Sequence, residues 1–108
     1  MSTVTDIILV TFFNDGSQGD DGHQNVDALN QWLLSTRPSP RDQLVRVDNR
    51  AGGGKVMQCE VWMAAINWLD EKAFEQAVRS INWAHRDCVQ LFMKSENADR
   101  FRVINFDD

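Results

Sequence analysis

The order of strand-like and helix-like runs predicts an α+β domain: a ferredoxin-like βαββαβ sheet with both helices on one face and an extra C-terminal strand. Three observations carry this. A Gly-rich turn, Asn49-Arg50-Ala51-Gly52-Gly53-Gly54-Lys55, joins two strand-like runs at residues 44–48 and 56–63, and its glycines supply the positive φ angles a hairpin needs. One helix-like stretch lies on each side of that hairpin, and beyond each helix stands another apolar strand. Helices that carry the chain from one strand to a parallel neighbour run right-handed, which sends both to the same face.

Residues 4–13 read as the central strand, because both of its rows are apolar: Ile7, Leu9 and Phe13 against Ile8, Val10 and Phe12. Residues 14–22 are too rich in Gly and Asp for regular structure and read as a mobile loop. Asn25 is placed to cap a helix with the apolar stripe Val26, Leu29, Trp32 and Leu33. Asp27 falls in its first turn, and Pro38 and Pro40 end it. After the hairpin, Asp70 suits the N-cap of a second helix with Phe74, Ala77, Val78 and Ile81 on one side and Glu75 facing Arg79.

Residues 88–94 and 101–106 read as the last two strands. In the hairpin strand Met57, Cys59, Val61 and Met63 alternate with Gln58, Glu60 and Trp62. The more apolar row is expected under the helices, which leaves the other row on the open side of the sheet. That open side is expected to present Trp62, Phe92, Ile104 and Phe106, an apolar patch of the kind monomers seldom leave in water. The same parity places Cys59 in the core and Cys88 on the opposite face, so no disulfide is expected between them.

A chain of 108 residues with average hydrophobic content makes one domain, residues 1–108, with a single core. No apolar run reaches the roughly 20 residues a membrane span requires, and the first residues lack a basic leader, so no membrane association and a cytoplasmic location are expected. The net charge of −5 is unevenly spread: residues 1–36 hold five aspartates and no Lys or Arg. Such a domain is repelled by phosphate backbones, which disfavours nucleic acid, and a basic partner suits it better.

The chemical motifs are weak. His85-Arg86-Asp87 matches the start of a kinase catalytic loop, but position 92 is Phe where that loop needs Asn. Gly54-Lys55 is followed by Val56 and a strand, not by Ser or Thr and a helix, so it is no phosphate-binding loop. Arg50, Gly53 and Lys55 retain a weak capacity to hold an anion. Asp15, Asp20 and Asp21 fail the EF-hand pattern, which needs Gly at the sixth position and Glu at the twelfth, where Asp20 and Val26 stand. They are expected to bind a partner, with no metal and no cofactor. The run 55–62 offers one aromatic and an acid, which does not match an RNA-stacking strand.

The functional expectation is therefore a small acidic non-catalytic protein-interaction module. It self-associates as a homodimer, or binds and neutralises a protein partner such as a basic toxin or enzyme. Its binding residues are Trp62, Phe92, Ile104, Phe106, Asp15, Asp20 and Asp21. The alternative is a dimeric α+β-barrel enzyme or small-molecule binder with an apolar cavity, for which Asn67, Trp68, Trp83 and His85 are the weak catalytic candidates.

Overall fold

A computed structural model describes residues 3–12, 23–36, 39–47, 52–55 and 57–106. Its architecture is α+β: a five-stranded antiparallel sheet and two helices. In chain order the elements are β1 (Val4–Phe12), α1 (His23–Thr36), β2 (Val45–Arg46), β3 (Cys59–Asn67), α2 (Glu71–Ser80), a 3-10 turn at Arg86–Cys88, β4 (Gln90–Ser95) and β5 (Arg102–Asn105).

The strands lie in the order β2-β3-β1-β4-β5, which differs from a simple four-stranded ferredoxin sheet by the edge strand β5. Strands linked through a helix are not neighbours, contrary to the expected parallel crossovers between adjacent strands. β3 separates β1 from β2, and β1 separates β3 from β4. β1 is central, as its two apolar rows require, with Leu9 opposite Trp62 on one side and Leu91 on the other.

One face of the sheet and one stripe of each helix close a single core. Ile7 and Leu9 of β1, Trp62 and Ile66 of β3, and Leu91 and Met93 of β4 meet Val26, Leu29 and Leu33 of α1 and Phe74 and Val78 of α2. α1 keeps the stripe legible in its sequence but begins at His23, so Asp27 lies beyond its first turn. α2 starts where its capping residue dictates: Ala73 N–H donates to Asp70 Oδ1 at 3.1 Å, satisfying a backbone donor that the first turn leaves unpaired. Glu75 and Arg79 stand 3.8 Å apart one turn on.

The face assignment of β3 is the main correction. β3 runs to Asn67, well past Met63, and pairs Leu9 with Trp62 and Val10 with Val61. The row under the helices is therefore Glu60, Trp62, Ala64 and Ile66, while Cys59, Val61 and Met63 lie on the open side. Trp62 is 7% exposed, not a surface residue. Ile104 and Phe106 move with it: Ile104 pairs with Leu91, a core residue, and packs against the core, while Phe106 is fully buried beneath the Arg79 guanidinium, 5.0 Å from its ring centroid. Period-2 alternation defines two rows but not which is inward. The expected core row has the higher apolar count even through Ile66, and the pairing of Trp62 and Ile66 with the buried side of β1 overrides it.

Cys88 belongs to the 3-10 turn and not to β4. Both cysteines are half-buried and neither is in a disulfide, so Cys59 is not the fully buried thiol expected of it. The hairpin between β2 and β3 is longer than a tight turn: Val45 pairs with Met63, and Val47 N–H donates to Val61 O at 2.8 Å. Within it Gly53 takes φ +98°, the left-handed conformation glycine adopts without strain.

Candidate functional site

The face of the sheet turned away from the helices is the largest feature without an intramolecular covering element among the described residues. Its rows are Val4, Asp6, Ile8, Val10 and Phe12 from β1; Cys59, Val61, Met63, Ala65 and Asn67 from β3; and Gln90, Phe92 and Lys94 from β4. Val45 faces the same way beyond Met63, as does Val103 beyond Phe92. Eight large apolar side chains are exposed among the described residues, and five of them, Val45, Val47, Met63, Phe101 and Val103, belong to this side. Scattered apolar residues are ordinary on a surface, but a contiguous set is not.

Only two charges stand on the strands of this face, Asp6 and Lys94, and they are register partners across β1 and β4. The patch is therefore neutral on a chain whose net charge is −5. Beside Asp6 the face dips into an apolar depression of about 400 Å³ lined by Ile8, Met63, Ala65 and Phe101.

Of the expected partner-binding residues, Phe92 alone lies on the open face; Trp62, Ile104 and Phe106 belong to the core side. Asp15, Asp20 and Asp21 lie outside the described residues, as does Arg50. Gly53 and Lys55 are exposed in the hairpin loop. Sequence reasoning missed Val45, Val47 and Val103, although each is set beside a polar residue of opposite parity, Arg46 or Arg102.

The four catalytic candidates are not brought together. Asn67 pairs with Val4 at one end of β1, and Trp68 follows it. The His85 ring lies 4.1 Å from the ring of Phe12, at the other end of a nine-residue strand, roughly 26 Å away at strand rise. Trp83 is 5% exposed, and its Nε1–H donates to Val78 O at 2.9 Å, closing the core beneath the end of α2. Its indole serves packing.

Two carboxylates on the helix side have distinct environments. Glu71, in the first turn of α2, accepts from Thr5 Oγ1 and Ser95 Oγ at 2.7 Å each on Oε2, and from Arg102 Nη2 at 3.2 Å on Oε1. Partial burial pushes its carboxyl up, but the hydrogen bonds from Ser95, Thr5 and Arg102 and the Arg102 charge outweigh that and hold it below its ordinary value. Glu60 is buried opposite Thr11; its Oε1 is 3.9 Å from Arg46 Nε, and its Oε2 has no hydrogen-bond partner.

Among the described residues no three His, Cys, Asp or Glu side chains come together as a metal site, and no helix is long and apolar enough to cross a membrane. Comparison with protein-family models, curated proteins and solved structures finds no match.

Proposed function

We propose that this chain is a non-catalytic interaction module that pairs with a second copy of itself through the open face of its sheet. The observation that carries the proposal is the contiguous apolar face with its own matched charges. A basic protein partner suits the net charge of the chain but not this surface, which is neutral. A two-fold axis turns the face onto itself, and Asp6 and Lys94 supply both halves of a reciprocal ion pair.

The area is adequate. The strands hold 9, 2, 9, 6 and 4 residues; at about 16 Å² per strand residue the face covers roughly 480 Å² of flat area per copy. Two such faces approach about 1,000 Å² before side-chain corrugation is added, the lower bound for a specific interface. A ferredoxin-like description of the inner strands, with β5 appended, is supported by the order β2-β3-β1-β4 and by the shared core of both helices. It leaves one face available for pairing.

Sedimentation of the wild-type protein tests the proposal. A dimer is expected at micromolar concentration, and Met63→Glu, at a position 45% exposed in the single chain, is expected to give a folded monomer. A wild type that remains monomeric at several hundred micromolar overturns it. The depression beside Asp6 favours a second reading, a small apolar ligand enclosed between two sheets. Native mass spectrometry distinguishes the two, since a bound ligand adds a fixed mass to the dimer.

A further inference from the structure

On the opposite side of the molecule, Trp68 combines three unusual properties. It is a bulky residue at φ 59°, the only described non-glycine residue with positive φ, and it is 63% exposed. The left-handed conformation is strained for an L-residue with a side chain. The Trp68 N–H donates to Thr3 O at 2.8 Å, which fixes the bend between β3 and α2. The bend sets the indole on a small pocket of about 190 Å³, lined by Trp32, Thr36, Leu69, Asp70 and Ala73 as well as Trp68.

We propose that this pocket binds an alkylated ammonium group. Both indoles line the pocket, and the face of an indole attracts a soft, weakly hydrated cation better than that of any other aromatic side chain. Asp70 supplies the countercharge: its Oδ1 is committed to Ala73 N–H, and Oδ2 remains for the ligand. That carboxylate offsets the positive end of α2, while Thr36 brings the negative end of α1 to the pocket. A primary ammonium is held less well, because its strong hydration is lost on entering an aromatic site. The net charge of −5 raises the local concentration of any cation.

The test is an NMR titration of the full chain with tetramethylammonium chloride against sodium chloride at equal ionic strength, following the indole N–H signals of Trp32 and Trp68. Saturable shifts of both are expected with tetramethylammonium alone. Asp70→Asn keeps a good helix cap and is expected to weaken binding roughly three- to tenfold. Trp68→Gly removes the indole while relieving the backbone, so its melting temperature is expected to hold or rise while binding is lost. Choline is expected to bind and its neutral carbon analogue, 3,3-dimethylbutanol, is not. Comparing choline with an Nε-trimethyllysine amide then separates a free metabolite from a modified side chain as the source. Absence of saturation below about 50 mM, unchanged binding in Trp68→Gly, or equal binding of the neutral analogue overturns the proposal.

Discussion

Glu71 is the residue through which the sheet and α2 are held together, since one carboxylate takes hydrogen bonds from β1, β4 and β5. Its pH behaviour follows from the direction of its shift. A carboxyl held below its ordinary value of 4.5 in the folded state takes up a proton more readily in the unfolded chain. Its contribution is therefore complete above about 4.5 and is lost as pH falls through the lower, folded value. Glu71→Gln is expected to flatten the acid side of the stability curve below pH 5, measured by urea unfolding at successive pH values; an acid limb parallel to wild type rejects this role. Thr5→Val, at a position 2% exposed, is expected to cost about 1–2 kcal/mol at neutral pH through the lost charge-assisted bond. None of this network was legible in the sequence, because Thr5, Glu71, Ser95 and Arg102 meet only once strand order is known. Glu60 shows the opposite case, a buried carboxylate oxygen without a partner, which costs stability of order 1–3 kcal/mol.

At the scale of elements, α2 was written into the sequence down to its cap, because Asp70, the apolar stripe and the Glu75–Arg79 spacing are all local. β1 was equally clear from its two apolar rows. The orientation of β3 was not, since it depends on which neighbour it meets. Residues 59–63 favour one row on apolar count, and continuation through Ala64, Ala65 and Ile66 narrows that margin without reversing it, so only the pairing of Trp62 with Leu9 decides. β5 was inverted for the same physical reason: Phe101 and Val103 look as apolar as Ile104 and Phe106, and only the pairing of Ile104 with Leu91 decides. Adjacent substitutions near the end of β3 test the register. Ile66→Ala, at a fully buried site, is expected to destabilise by about 2–5 kcal/mol, whereas Ala65→Ser next to it is expected to stay within about 0.5 kcal/mol. Equal losses by urea denaturation, or a larger loss at Ala65, mean that the strand has slipped by one residue.

For the whole molecule, the decisive property is an asymmetry between its two layers: the helix side closes a core, and the far side of the sheet leaves apolar rows for another surface. If that surface is a second copy, folding and association are one equilibrium, and stability depends on protein concentration. A tenfold increase in concentration then adds about 1.4 kcal/mol per dimer. Two chains of 108 residues lose about 0.45 kcal/mol per kelvin near the midpoint, so the melting temperature is expected to rise by roughly 3 °C for each tenfold increase. A monomer shows no such slope, and Met63→Glu is expected to abolish it. Salt supplies the second arm. Two chains of charge −5 repel each other, and screening that repulsion offsets what it takes from the two Asp6–Lys94 pairs across an otherwise apolar face, so salt leaves the dimer unchanged or tightens it. An interface built on attraction to a basic partner weakens under the same treatment. A slope that disappears between 0.05 and 0.5 M sodium chloride, measured by calorimetry over a hundredfold range of protein concentration, is incompatible with pairing through this apolar face.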